Sequence, residues 1–469
     1  MHKWGIAAVA AAVTAGLVVV AVLASSGTPM LGAGLLAAIL GLMWLVWPRK
    51  EGAIPRRYVV FLSAFAFSSV LPQSVGLPLQ IVALVGAFLE WLCTPAAERR
   101  GNGVVLTAGL FIGFWALLMF HPNVPDISTG LLGFRKTALA VAGVVFGCAI
   151  RERLRVPVER LVINLVTSVL GLSIVGHLWI PAINKLFPKN DADMYTGLYG
   201  GEVRMQGLFA GPFHAAIAGV FLIGWAIVRW RSSRVLPKVV LVVGALGMYL
   251  TLVRTAYIAV ALVVAALVIL ASSFVSFMKR LGIVSGLALV ALMFVEAFGG
   301  GKVLTVIESI GNFATDGRFL NRLPEYALGF KMFGESQLVG KGAGSAGDTL
   351  GPAFGAHEHV TPHNLLLKIL VEGGAIGMSL WLLLIMVLWH ALDTRTPPGS
   401  LAVVSVLGMF GLGLTGSAIE ALPVTYLIFM VAGLGVRAEG GSASSTREEL
   451  EARPLPLLNG RRGYHLNSR

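Results

Sequence analysis

The sequence predicts an all-α polytopic membrane protein of about 12–14 transmembrane helices, with one large extracytoplasmic loop containing short helices. Three observations predict it. Hydrophobic residues make up 56% of the chain and charged ones only 13%, with a mean hydropathy of +0.82. Apolar runs long enough to cross hydrocarbon recur along the chain, and the basic residues gather in alternate connections between them.

The apolar runs lie near 4–24, 29–47, 58–73, 76–94, 104–120, 134–150, 161–179, 212–229, 238–253, 255–277, 281–298, 372–392, 401–417 and 421–436. The first follows Lys3 and ends at Ala24-Ser25-Ser26, in the manner of a secretory leader. A second run follows almost at once, so an uncleaved first helix is expected. The pairs within 58–94 and 401–436 contain short runs with poorly marked boundaries. The expected organisation is one transmembrane domain over 1–436, including the large loop 299–364, and a polar, Ser/Gly-rich, disordered cytoplasmic tail over 437–469.

Orientation follows from Lys and Arg in short loops. Arg49, Lys50, Arg56 and Arg57 share one loop, Arg99 and Arg100 another, and Arg151, Arg153, Arg155 and Arg160 a third. Arg229, Arg231, Arg234 and Lys238 fill the next, followed by Lys279 with Arg280, and then Arg395. All fall on the side of Lys3, which predicts cytoplasmic termini. The net charge of +13 is mostly this topogenic charge and gives no support to nucleic-acid binding. Cys93 and Cys148 sit near cytoplasmic span ends, and the chain has no disulfide framework.

Three connections on the opposite face exceed a tight turn. The first, 121–133, leads into Arg135-Lys136 at the mouth of a span. The second, 181–211, is rich in Gly, Asn and Asp, predicts irregular backbone, and presents Arg204. The third holds Arg318, Arg322, His357, His359 and His363 between two membrane-length runs. Within it 318–333 has helical composition interrupted by Pro324, and Gly340-Lys341-Gly342-Ala343-Gly344 predicts a flexible segment. Arg254, in Thr251-Leu252-Val253-Arg254-Thr255-Ala256-Tyr257, joins two spans with almost no loop.

Arg135, Arg204, Arg254, Arg318 and Arg322 thus map to the face that topology rules leave poor in positive charge. Arginine grips phosphate oxygens in pairs, so an anionic lipid head group such as a polyprenyl pyrophosphate is the expected ligand. The alternative is a helix-end snorkelling role for Arg254, or pairing with acids such as Glu202, Asp316 and Glu325. His357-Glu358-His359 with His363 matches no strong zinc spacing, and no metal or other cofactor is expected. His363 fits either a cap of the following helix or a general base for an acceptor hydroxyl. The 340–344 glycines lack the order of a nucleotide loop.

Asp316-Gly317-Arg318, the 340–344 segment, Pro362-His363-Asn364-Leu365-Leu366 and Glu372-Gly373-Gly374-Ala375-Ile376-Gly377 together resemble the signature region of the bacterial O-antigen ligase/polymerase family. Arg204 in R-M-Q-G-L-F and Arg254 between two spans resemble further family positions, so the resemblance covers 204–377. The chain departs from the family pattern in having Arg322 and then Tyr326 where an aromatic, often Trp, usually follows the loop arginine. The resemblance implies a multi-pass bacterial inner-membrane glycosyltransferase with its active site on the periplasmic face. Its donor would be a glycan on undecaprenyl pyrophosphate and its acceptor a saccharide or lipid core, within the lipid bilayer. It also implies inverting transfer by direct displacement, without a metal. Arg204, Arg254, Arg318 and Arg322, with Arg135, would hold the pyrophosphate. Arg318 and His363 would be catalytic, and Asn364, Glu372 and Tyr326 supporting. A transporter or flippase of lipid-linked saccharides is the competing class. It is disfavoured because transporters tend to place charge and broken helices near mid-membrane in repeated halves, and the charges here lie at one face with no repeat.

Overall fold

The structure is a computed structural model and describes residues 54–70, 73–180, 198–199, 202–230, 235–269, 278, 282, 320, 322–347, 353–354, 359–394 and 396–437. Among these the chain is a bundle of helices with one two-residue hairpin. In order they are α1 (Arg56–Ala66), α2 (Gln73–Cys93), α3 (Asn102–Leu118), α4 (Ile127–Ala149), α5 (Arg155–Leu178), β1 (Leu198–Tyr199), β2 (Glu202–Val203), α6 (Pro212–Val228), α7 (Leu236–Thr251), α8 (Arg254–Ile269), α9 (Leu323–Glu335), α10 (Leu365–Ala391), α11 (Pro397–Gly413) and α12 (Val424–Leu434).

Three helical segments, Ile127–Ala149, Glu152–Leu178 and Leu365–Ala391, are long and apolar enough to cross a membrane, and shorter apolar helices surround them. Every apolar run read from the sequence contains a helix among its described residues, apart from 4–24 and 29–47, which lie outside the described residues, and 281–298, of which only Gly282 is described; of 255–277 the part beyond 269 also lies outside them. The tail from 438 also lies outside them.

Sequence boundaries moved where caps decide them. Asp126 accepts from the Thr129 amide at 2.9 Å and starts α4 earlier than 134, so Arg135 lies well inside the helix rather than at its mouth. Pro324 does not interrupt the loop helix. It occupies the first turn of α9, where its missing N–H costs nothing. Near 401–436 a short turn at Ala418–Glu420 separates α11 from an eleven-residue α12. The 181–211 connection, expected to be irregular, pairs Leu198 with Val203 and Tyr199 with Glu202.

α4 and α12 form the central seam. A Cβ at Gly143 would stand 2.2 Å from the Tyr426 carbonyl oxygen, and one at Gly433 would stand 2.3 Å from that of Val144. Small residues here let two backbones touch, which is how helices gain packing energy where lipid offers no hydrophobic drive.

The basic connections gather at one end. Arg100 meets Glu152 at 3.3 Å, Arg229 meets Glu159 at 2.5 Å, and Arg155 donates to the Leu434 carbonyl at 2.6 Å. At the other end lie the starts of α4, α6, α8 and α10 and the finishes of α3, α7 and α11. Contacts across that end establish the grouping. The Met205 amide donates to the Leu250 carbonyl at 2.9 Å, Asn364 Nδ2 to the Leu414 carbonyl at 3.1 Å, and the Ala343 amide to the Leu118 carbonyl at 3.2 Å.

Candidate functional site

The site is organised around a break in α10. Glycine is the poorest helix former after proline, and here two occur in succession within a span. Gly374 takes φ 61° and ψ −157°, which interrupts the helix. A broken span exposes amides and carbonyls that hydrocarbon cannot satisfy. The segment 337–344 supplies what is missing. The Lys341 and Gly342 amides donate to the Val371 and Glu372 carbonyls at 2.7 and 3.0 Å. In return, the Ala375 and Ile376 amides donate to the Gln337 and Leu338 carbonyls at 2.7 and 3.1 Å. The glycine run expected to be flexible is therefore pinned. Its positive φ values at Gly340, Gly342 and Gly344 let it thread the gap.

Beside the break lies a buried ionic group. Lys368, one turn before Glu372, donates to Glu372 Oε1 at 2.5 Å and to the Ala346 carbonyl at 2.6 Å, and stands 3.1 Å from Glu420 Oε1. Glu372 Oε1 also accepts from the Gly344 amide at 3.1 Å. Its Oε2 accepts from Trp115 Nε1 at 3.0 Å and Thr137 Oγ1 at 2.8 Å. Lys136 lies 3.6 Å from Glu420 Oε2. Each of these buried charges has an opposite charge beside it, as burial demands. Glu372 is the joint between α3, α4, α10 and the 344 loop. Lys368, Lys136, Glu420, Trp115 and Thr137 were missed. The available signal was Lys368 four residues before Glu372 in an apolar run, where ionisable groups are costly unless they have a task.

Above this group sit the loop histidines. Gly347 and Val360 are joined amide to carbonyl at 3.0 Å, and Thr361 takes Glu325 Oε2 on its amide at 3.2 Å. Asn364, not His363, caps α10, accepting from the Leu366 and Leu367 amides at 2.9 and 3.0 Å. His363 is half-buried and held at φ 44°, a left-handed conformation that a non-glycine residue keeps only when its surroundings impose it. Burial, then the charge of Arg322, brings its imidazole down to about 4, with Glu420 opposing. Burial, then Lys368, does the same for His359, also to about 4. Both imidazoles are neutral at pH 7.

A stability prediction follows from these two histidines. Their folded values lie below the ordinary 6.5, so the unfolded chain takes up protons first as the pH falls. Stability should be full above about pH 6.5 and decline through the window down to about 4. Melting of the detergent-solubilised protein at pH 7, 6 and 5 should show this, with a shallower slope for His359→Gln. An unchanged slope would remove His359 from the account.

The arginines divide. Arg322 is half-buried, immediately precedes α9 and donates to the Thr415 carbonyl at 3.4 Å. Arg204 donates through Nε to the Thr251 carbonyl at 3.0 Å. Arg254 opens α8 at the same end, just after Leu252 closes α7 at φ 53°. Arg135, inside α4, is largely buried within electrostatic reach of Glu420, beside the ionic group. Tyr326 packs on the small cluster of Met332, Ala346, Val360, Leu367 and Val371. Arg318, Asp316, His357 and Glu358 lie outside the described residues. The structure thus brings Arg204, Arg254, Arg322, His359 and His363 to one end of the bundle.

Residues 239–382 match the family model described as O-antigen ligase. No curated protein matches the chain. The matched stretch contains Arg254, Arg322, His363, Lys368 and Glu372, while Lys136, Arg204 and Glu420 lie outside it.

Proposed function

We propose that this chain, which over residues 239–382 belongs to the O-antigen ligase family, is an inverting, metal-independent glycosyltransferase that moves a glycan from undecaprenyl pyrophosphate to a sugar hydroxyl. The observation that carries this reading is His363. It is a neutral imidazole in a strained backbone beside Arg322, at the end of the bundle shared with Arg204 and Arg254.

The leaving group brings its own activation, so the protein must neutralise charge and position two reactants. The acceptor oxygen attacks the anomeric carbon from the face opposite the pyrophosphate. The new C–O bond forms as the old one breaks, and its electron pair leaves on the pyrophosphate. His363 takes the hydroxyl proton. Arg204, Arg254 and Arg322, with Arg318, meet the growing negative charge. In the free protein burial, and after it the charge of Arg322, hold His363 well below neutrality, which makes it a weak base. A bound pyrophosphate answers the charge of Arg322 and leaves the burial, so the donor itself restores part of the base's strength.

The transporter reading gains little from the break in α10. Its freed backbone groups are taken by the 337–344 segment instead of lining an open path.

Arg254 provides the test. In nanodiscs with undecaprenyl-pyrophosphate glycan and acceptor, Arg254→Ala should lose transfer, and Arg254→Lys should recover little because it lacks the planar fork. EDTA should leave wild-type turnover unchanged. Full transfer by Arg254→Ala would take the residue out of the site, and EDTA inhibition would restore a metal to the mechanism.

A further inference from the structure

The loop helix α9 has one face turned inward and one exposed among the described residues. Gly329 and Met332 are buried, and a Cβ at Gly329 would meet the Leu367 side chain of α10 at 3.0 Å. On the opposite face Leu323, Ala327, Phe330 and Gly334 follow one another at helical spacing, and all are exposed. Phe330 is 61% exposed, and a Cβ at Gly334 would meet nothing within 4 Å. A soluble loop helix would carry polar residues here.

The stripe does not end with the helix. Leu338, 69% exposed, follows it and is tied through its carbonyl to the Ile376 amide of α10. From Ile376 the exposed apolar surface continues down α10 through Leu382, Leu383 and Met386, the exposed side of a membrane-length helix. Basic groups flank the stripe. Arg322 stands at its start, exposed Lys331 runs along its edge, and Lys341 lies beyond its end, paired with Glu335 at 2.7 Å. Apolar residues on one side with cations along the rim is the pattern of a helix lying in a membrane surface.

We propose that α9 is an interfacial helix whose Leu323, Ala327, Phe330 and Gly334 stripe, extended by Leu338, rests in the boundary between head groups and acyl chains of the surrounding bilayer. Its occupant is the lipid surface. The continuity with the exposed side of α10 favours this over a second protein. The arrangement fixes Arg322 at head-group depth, whichever reaction the site performs.

Site-directed spin labelling tests it in the full chain, with Cys93→Ser as background and the protein in phosphatidylethanolamine/phosphatidylglycerol nanodiscs. Cysteines at 323, 327, 330 and 334 would each carry the label, with 331 and 335 as the neighbouring positions. Labels at the four stripe positions should collide more with oxygen, which concentrates in lipid, than with a water-soluble nickel chelate. Labels at 331 and 335 should show the reverse preference, giving an oscillation of helical period. Chelate-dominated collisions at 330 and 334 would place the stripe in water and overturn the proposal. Low collision rates with both reagents would show a protein cover, from this chain or a second copy, and would overturn it equally. Neither reading depends on glycosyl transfer, so failure here leaves the proposed reaction standing.

Discussion

Replacing His363 with Asn should lower turnover by roughly two to four orders of magnitude, the range over which a general base acts, while donor binding survives. Asparagine is the informative choice because it tolerates the left-handed backbone that His363 occupies at φ 44°. The chemistry is then removed without disturbing the turn that leads into α10. Alanine should lose activity and some stability together, because it pays for the strained backbone. The pH profile adds a second readout. For the free protein, kcat/KM should fall only as the pH approaches about 4. For kcat the acid limb should lie higher, because bound pyrophosphate offsets the charge of Arg322. Loss of donor binding in His363→Asn would make the residue a pyrophosphate ligand. Wild-type turnover in that variant would end its role as base.

Glu372→Ala should be the most destabilising single change outside the histidine loop. The carboxylate accepts from Lys368, the Gly344 amide, Trp115 and Thr137, and its loss leaves an ammonium with one fewer partner in a site closed to water. Breaking a buried pair from one side costs about 3–5 kcal/mol. Removing both members, as Lys368→Met with Glu372→Gln, should recover part of that loss, since the charges then leave together. The melting temperatures of the three proteins in detergent decide the matter. If Glu372→Ala melts with wild type, or the double variant melts below it, the quartet does not hold the break in α10 together.

Much of the fold could be read from apolar run length, because hydrocarbon thickness sets a ruler that sequence must meet. That Arg204, Arg254 and Arg322 share one end of the bundle followed from the same ruler and the placement of basic loops. What escaped was long-range. Glu372 joins Trp115 and Thr137 across more than two hundred residues, and no local pattern encodes such a partner. The glycines of 340–344 misled for a related reason. Glycine permits both mobility and close fitting, and only the broken helix that receives them decides which. The edge of α4 was misplaced because the cap at Asp126 satisfies the helix start before the hydrophobic run begins.

The way 337–344 is sewn into α10 also bears on how the protein is made. The donors and acceptors that heal the break lie earlier in the chain than the break itself. They are synthesised first, so the segment that heals the break exists before α10 does. The stretch from Gly374 to Ala391 is itself about as long as a span requires. It can enter the bilayer alone, and the turns from Leu365 to Gly373 then fold down onto a template already waiting. Assembly in this direction would keep the broken backbone from facing lipid.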